Sequence, residues 1–308
     1  MKKRILLTDD LLNNFVNIYS KYFQVDTLWN TNPKKIKYAH YEGIVASGLF
    51  KIPPFLMNNL SSLKIISLFA VGFDNVNLTI CKKRNIVVAN TPGVLTRDVA
   101  DLALTLLLSL SRNLINGQSY VKKNLWSKNG PMELTDSVFN KKVGIIGLGK
   151  IGSEFAKKLK VFSMEVSYFG PNKKNVKYKY FNNLKKMAAY VDYLVITCAG
   201  GEGTKKIVNT DILGAMKKTS YLINVSRGTT IDEKALIFAL ENKKIKGAAL
   251  DVFLNEPKIN PLFKKLDNII LHPHHGSGTI ETRKAMAELS CLNLINFFKT
   301  GKPLHKVI

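Results

Sequence analysis

Short apolar runs alternate with longer mixed segments along the first third of the chain. Ile5-Leu6-Leu7, Gly43-Ile44-Val45-Ala46, Ile65-Ile66-Ser67-Leu68 and Ile86-Val87-Val88 stand out against their surroundings. Continuous apolar runs of this length read as strands buried on both faces. The stretches between them are long enough for crossover helices, so the pattern predicts a parallel sheet covered on both sides. From residue 98 to 116 the period changes. Val99, Leu102, Ala103, Leu106, Leu107 and Leu110 recur at helical spacing, with Asp98 in the first turn and Thr96 as candidate cap. Leu104 and Leu108 widen the apolar surface, which predicts a long helix covered on more than one face. A second strand series follows at Val143–Ile146, Glu165–Tyr168, Tyr193–Thr197, Tyr221–Val225, Gly247–Leu250 and Ile269–Leu271. A helical pattern returns from Ile280 to Lys299 and ends at Gly301-Lys302-Pro303.

A chain of 308 residues holds about two domains of ordinary size. Hydrophobic residues make up 46% and charged residues 22%, which excludes extended disorder and fibrous classes. The most apolar run, Leu102–Leu110, is broken by Thr105 and Ser109 and is far short of the ~20 residues a membrane span needs. The opening MKKRILLTDDLL reads as a first strand rather than a signal peptide, because Asp9-Asp10 closes its apolar run. The formal net charge is +24, which raises the possibility of a polyanionic partner. Its distribution argues against one. The excess lysines sit in dispersed pairs such as Lys34-Lys35, Lys82-Lys83 and Lys157-Lys158, most of them where a helix should end and cations suit the dipole. Arginine, the better reader of phosphates and bases, is sparse. No nucleic-acid or membrane partner is therefore expected. Cys81, Cys198 and Cys291 are odd in number and far apart, with neither metal spacing nor a disulfide framework. Reduced thiols and a cytoplasmic location follow as the expectation.

The sharpest motif is Gly147-Leu148-Gly149-Lys150-Ile151-Gly152, which follows the strand at Val143–Ile146 and opens a helix from Ser153 to Lys160. That context is what a dinucleotide fingerprint requires. Gly147 permits the tight turn, Gly149 lets backbone approach a pyrophosphate at the helix N-terminus, and Gly152 lets helix and strand pack closely. The end of the next strand reads Tyr168-Phe169-Gly170-Pro171-Asn172-Lys173-Lys174. An acid there would bind the ribose hydroxyls of NAD. None is present, and Asn172 with the lysines would suit the 2′-phosphate of NADP instead.

Three later segments set polar groups directly after buried strands: Asn224-Val225-Ser226-Arg227-Gly228, Asp251-Val252-Phe253-Leu254-Asn255-Glu256-Pro257 and His272-Pro273-His274-His275-Gly276. Ligands in open α/β sheets sit at the carboxyl ends of strands. An arginine, a carboxylate and a histidine at such ends supply an anion anchor and a tuned proton donor.

With these segments in view, the chain resembles the D-isomer-specific 2-hydroxyacid dehydrogenases over nearly its whole length. Val71-Gly72-Phe73-Asp74-Asn75-Val76, Asn90-Thr91-Pro92-Gly93-Val94-Leu95-Thr96, Val99-Ala100-Asp101-Leu102-Ala103, the glycine motif, NVSRG, DVFLNEP and HPHHGSGT carry the resemblance. Its flavour is that of the glyoxylate, hydroxypyruvate and hydroxyphenylpyruvate reductases, a group that tends to use NADPH.

The resemblance implies an α/β protein of two doubly wound parallel-sheet domains, a Rossmann-type cofactor domain inserted into a flavodoxin-like substrate domain. Residues 1–97 and 283–308 would form the substrate domain and 98–282 the cofactor domain. It implies reduction of a 2-oxo acid to a D-2-hydroxy acid, with NADP(H) preferred and NAD(H) possible. Arg227 would bind the substrate carboxylate, His274 act as acid and base, and Glu256 hold His274 and favour its charged form. Val71 and Gly72 would add backbone donors for the substrate. Thr96, Gly147, Leu148, Gly149, Lys150, Ile151, Gly152, Asn172, Lys173, Val225 and Asp251 would contact the cofactor, Asp251 at the nicotinamide amide, and no metal is called for. A homodimer around helix 98–116 is expected. Two departures from the family pattern stand out. His275 replaces an apolar residue and competes with His274, and Arg97 stands where an acidic or small residue is common. His272 adds a third imidazole. The alternatives are a non-catalytic nucleotide-sensing repressor or interaction protein on the same scaffold, and an NAD-dependent phosphoglycerate-type dehydrogenase. The complete Arg227, Glu256 and His274 set argues against the first. The chain's end at Ile308, with no regulatory domain after it, argues against the second.

Overall fold

The computed structural model describes residues 2–31 and 36–308, so the Lys34-Lys35 pair falls outside it. The chain separates into two compact units, Met1–Leu95 with Ser277–Ile308, and Thr96–Gly276. These divisions fall at 95/96 and 276/277 rather than at 97/98 and 282/283. Thr96 already opens the first helix of the second unit, and Gly276 is still tied to that unit by its amide, 2.9 Å from Asp251 Oδ2.

In the first unit β1 (Arg4–Leu7), β2 (Gln24–Thr27), β3 (Gly43–Ser47), β4 (Ile65–Phe69) and β5 (Val87–Ala89) form one parallel sheet in the order β2-β1-β3-β4-β5. Helices α1 (Val16–Ser20), α2 (Pro54–Asn59) and α3 (Leu78–Lys83) make the crossovers. β3 and β4 are buried along their whole length, as continuous apolar runs require. The order reverses between β1 and β3, the switch point of a flavodoxin-like sheet. There the Ser47 amide donates to Asp9 Oδ2 at 3.0 Å.

The second unit opens with α4 (Thr96–Ser111), shorter than the expected helix. Asn113 adopts a left-handed φ of 46°, a conformation that asparagine tolerates better than most residues. The chain restarts as α5 (Leu114–Lys122) and α6 (Leu125–Asn129). The sheet follows: β6 (Lys142–Ile146), α7 (Lys150–Val161), β7 (Glu165–Phe169), β8 (Lys179–Phe181), α8 (Leu184–Tyr190), β9 (Tyr193–Ile196), α9 (Thr210–Ala215), β10 (Tyr221–Asn224), α10 (Glu233–Glu241), β11 (Gly247–Leu250) and β12 (Ile269–Leu271). All seven strands are parallel, in the order β12-β11-β10-β9-β6-β7-β8. Six of them reproduce the Rossmann order, with its switch point between β6 and β9. α4 and α7 pack together on one face, joined at their polar edge by Lys158 and Asp101 at 2.8 Å. On the other face α8, α9 and α10 bury Met187, Leu213, Leu236 and Leu240 against Ile196, Leu222 and Ala248. Each such leucine contributes ~1.5–3 kcal/mol by leaving water. Two helices carry lysines where the dipole favours them: Lys82 and Lys83 lie in the last turn of α3, and Lys158 of the Lys157-Lys158 pair lies with Lys160 in that of α7.

The chain then returns to the first unit as α11 (Ile280–Thr300), which Gly301 stops in a left-handed conformation. Met286, Ala287, Cys291 and Leu294 of α11 pack on Ile5, Leu7, Val45 and Ile65. The tail pairs with β5, where the Val307 amide donates to the Val88 carbonyl at 2.7 Å.

Candidate active site

Strands β10, β11 and β12 are in register, with Asn224 beside Leu250 and Leu250 beside Leu271. The three polar segments therefore leave the sheet side by side. Buried Asn224 shapes the first of them. Its Oδ1 accepts the Ser226 amide at 3.0 Å and its Nδ2 donates to the Arg227 carbonyl at 3.0 Å. The Arg227 guanidinium donates to the Ser226 carbonyl at 2.8 Å. Gly228 follows, and a Cβ there would overlap the Phe253 carbonyl. Glycine at this position lets the loop after β10 lie against the loop after β11.

That second loop carries Glu256. Its Oε1 accepts the Phe253 amide at 2.7 Å, and its Oε2 meets His274 Nδ1 at 2.6 Å. An ionised carboxylate only accepts, so the imidazole donates and its Nε2 is left for a further partner. His274 has a φ of 50°, in the left-handed region, and its amide donates to the His272 carbonyl at 3.0 Å. His274, not His275, meets Glu256. The His275 side chain is exposed, with its ring edge-on to His272 at 5.9 Å.

Asp251 is 2% exposed, and both of its oxygens are engaged by the loop after β12. Oδ1 accepts His272 Nδ1 at 2.6 Å and the His275 amide at 2.8 Å, while Oδ2 accepts the Gly276 amide. The His272 pairing was not foreseen from the sequence. Its only signal is the register that sets the residues after Leu250 and Leu271 next to each other.

The glycine turn lies at the switch point. Gly147 has a φ of 93°, and a Cβ on it would come 2.6 Å from Cys198. A Cβ on Gly152 would overlap the Gly147 carbonyl, so α7 sits directly on the turn. Thr197 Oγ1 donates to the Gly147 carbonyl at 2.7 Å. Gly149 is the N-cap of α7 without a side-chain cap, and it faces open space. The amides of Lys150, Ile151 and Gly152 open a twelve-residue helix there. This open, amide-rich cradle fits the diphosphate of a dinucleotide.

Leu148 is buried, and its carbonyl accepts Lys174 Nζ at 2.6 Å. Lys174 thus reaches the glycine turn with its ammonium, although the residue is exposed on the loop after β7 like Asn172 and Lys173. The Lys174 amide donates to the Tyr168 hydroxyl at 2.7 Å, which pins the base of that loop. Buried Val225 follows β10, and its amide donates to the Ile196 carbonyl at 3.3 Å. Thr96 is the first residue of α4. Val71 and Gly72 belong to the first unit and follow β4, where the Val71 carbonyl accepts Asn90 Nδ2 at 2.8 Å. Among the described residues no group of three or more His, Cys, Asp and Glu could hold a metal. No helix among them is long and apolar enough to cross a membrane.

The chain is similar to known proteins in sequence and in fold. Residues 104–276 match the model of the D-isomer specific 2-hydroxyacid dehydrogenase, NAD binding domain. The chain is 41% identical to a 2-ketogluconate reductase of Gluconobacter oxydans over 268 residues, 86% of each protein. It is 38% identical to a glyoxylate/hydroxypyruvate reductase A of Arabidopsis thaliana over 305 residues, 97% of each. The crystal structure of an NADPH-dependent glyoxylate/hydroxypyruvate reductase from Sinorhizobium meliloti, in complex with NADP and malonate, superposes with a TM-score of 0.92 at 35% identity. That match covers 100% of this chain and 97% of the other. With its Rossmann order, its glycine cradle for a nicotinamide dinucleotide and these relatives, the chain is an oxidoreductase and belongs to the D-isomer-specific 2-hydroxyacid dehydrogenase family.

Proposed function

We propose that the enzyme reduces a small 2-oxo acid, such as glyoxylate, hydroxypyruvate or an aryl pyruvate, to the D-2-hydroxy acid. The observation that carries this reading is the 2.6 Å contact between Glu256 and His274, presented beside the Arg227 loop at the carboxyl edge of one sheet. His274 holds the proton that the substrate's carbonyl oxygen takes up. Glu256 orients that imidazole through the 2.6 Å contact to Nδ1. Arg227 offers parallel N–H groups to the substrate carboxylate. The reduced nicotinamide, when bound, supplies the hydride. Its dinucleotide is held by residues 147–152, Val225 and Thr96, with Asp251 at the nicotinamide end.

NADPH is the preferred cofactor and NADH is accepted. The strand end Tyr168-Phe169-Gly170 holds no carboxylate, Lys174 stands over the turn, and Asn172 and Lys173 complete a basic loop. The Sinorhizobium enzyme is itself NADPH-dependent. The protein acts as a homodimer in the cytoplasm. Leu114, Val121, Trp126 and Phe139, each more than half exposed, give the segment after α4 an apolar surface suited to a second copy. Three unpaired cysteines accord with a reducing compartment. The test is a panel of glyoxylate, hydroxypyruvate, phenylpyruvate, hydroxyphenylpyruvate and 2-ketogluconate, each with NADPH and NADH. Turnover of at least one acid, faster with NADPH, is expected. No turnover of any acid with either cofactor would exclude the reading.

A further inference from the structure

We infer that His272 is a positioning residue for the reaction, acting on His274 through Asp251. The inference rests on the reading of His274 as the proton donor. His274 is held by two carboxylates. Glu256 holds its ring, at 2.6 Å from Nδ1. Asp251 holds its backbone, by accepting the amides of His275 and Gly276, the two residues that follow. A histidine in the left-handed region resists relaxation only while its flanks are fixed. The His274 amide also bonds to the His272 carbonyl, so His272 closes the same turn from the other side.

His272 fixes the plane of Asp251. Its Nδ1 donates to Oδ1 at 2.6 Å, the shortest of the three contacts to that carboxylate. The aspartate is buried and makes no ion pair with a lysine or arginine among the described residues, so its orientation is set by these donors alone. Removing the imidazole leaves Oδ1 with the His275 amide only. The carboxylate is then free to turn, and the backbone at 275 and 276 turns with it. The neighbouring dyads are thus one device: His272 sets Asp251, Asp251 sets the loop, and the loop sets the angle at which His274 meets Glu256.

The experiment compares His272→Leu, which removes the donor, with His272→Asn, whose amide nitrogen reaches the position of Nδ1. His272→Phe replaces the leucine variant should that fail to fold. One readout is the imidazole resonance of His274 in the protein without cofactor, assigned against His274→Ala. The other is the split between kcat and KM on the best acid of the panel. In the donorless variant the downfield Nδ1 proton of His274 should broaden or move upfield. There kcat should fall roughly ten- to hundredfold with KM nearly unchanged, the scale of a displaced catalytic group. The asparagine variant should restore both. An unaltered resonance in the donorless variant, a loss confined to KM, or an asparagine variant no better than leucine would each overturn the inference. If the unmodified protein turns over no acid, the proposed function fails, and the resonance alone still decides whether His272 positions His274.

Discussion

The ammonium of Lys174 lies 2.6 Å from the carbonyl of Leu148, across the mouth of the glycine turn. Both lysines of the loop after β7 are exposed, and Lys174 is tied by this hydrogen bond to the glycine turn. On the proposed preference for NADPH, a 2′-phosphate at this strand end would meet the Lys174 ammonium, with no carboxylate between Tyr168 and Lys174. Lys174→Ala should lower kcat/KM with NADPH by about fivefold, the upper range for a solvated charge pair, and leave NADH nearly untouched. Lys173→Ala should change either value less. Gly170→Asp places a carboxylate where open space now lies and should turn the preference toward NADH. Steady-state kinetics with both cofactors check all three variants, and equal losses with NADPH and NADH would remove Lys174 from cofactor selection.

His274→Ala should lower the reduction rate by roughly 10²–10⁴, the worth of a positioned acid. His275→Ala should stay within about threefold, because its side chain is exposed and its hydrogen bond to Asp251 is made by the backbone amide, which alanine keeps. Single-turnover rates distinguish the two, and a reversed order would transfer the proton donor to His275.

Arg227→Lys should impair reduction nearly as much as Arg227→Ala. A lysine has one flexible point charge and cannot present two parallel N–H groups to a carboxylate. Thermal unfolding of both variants should stay close to that of the unmodified protein, which separates loss of the anchor from loss of the fold. Near-normal kcat/KM on glyoxylate in the lysine variant would refute the two-pronged contact.

Glu42 joins Lys3 at 2.8 Å and Lys64 at 2.6 Å. The hydrogen bond from Lys3, then that from Lys64, hold its carboxyl below the usual glutamate range. Its contribution to stability is present above the unfolded value of about 4.3 and fades as pH falls through the lowered folded value. Glu42→Gln should therefore destabilise the protein at neutral pH by less than about 1 kcal/mol, given the exposed lysines. The difference from the unmodified protein should vanish in acid. Denaturant titrations across that range measure it, and a difference independent of pH would show that packing, not charge, is involved.

What the sequence disclosed depended on how local the governing physics was. β3, β4 and β9 were legible because strands buried on both faces must be apolar throughout. β2 and β8 were missed. They are edge strands, Gln24–Thr27 and Lys179–Phe181, whose mixed residues look like loop. Apolar Leu114 and Ile115 carry the helical pattern beyond Ser111, where α4 ends. The break comes from the backbone of Asn113, which periodicity does not register. The glycine turn could be read position by position, since each glycine answers a steric demand within a few residues. The roles of Arg227, Glu256 and His274 came through the family resemblance. The Asp251–His272 pair was out of reach: the two residues are 21 apart in the chain and meet only because β11 and β12 pair in register.

The return of α11 to the first unit has a consequence for synthesis. The segment Thr96–Gly276 is continuous and carries all seven strands of its own sheet, so that sheet can be completed once Gly276 has been made. The sheet made before it cannot. Ile5, Leu7, Val45 and Ile65 are covered by α11, which emerges almost two hundred residues after β5. Until then an apolar sheet face stays open to solvent and to other nascent chains, the kind of surface that draws chaperones. The first sheet to be made is the last to be finished.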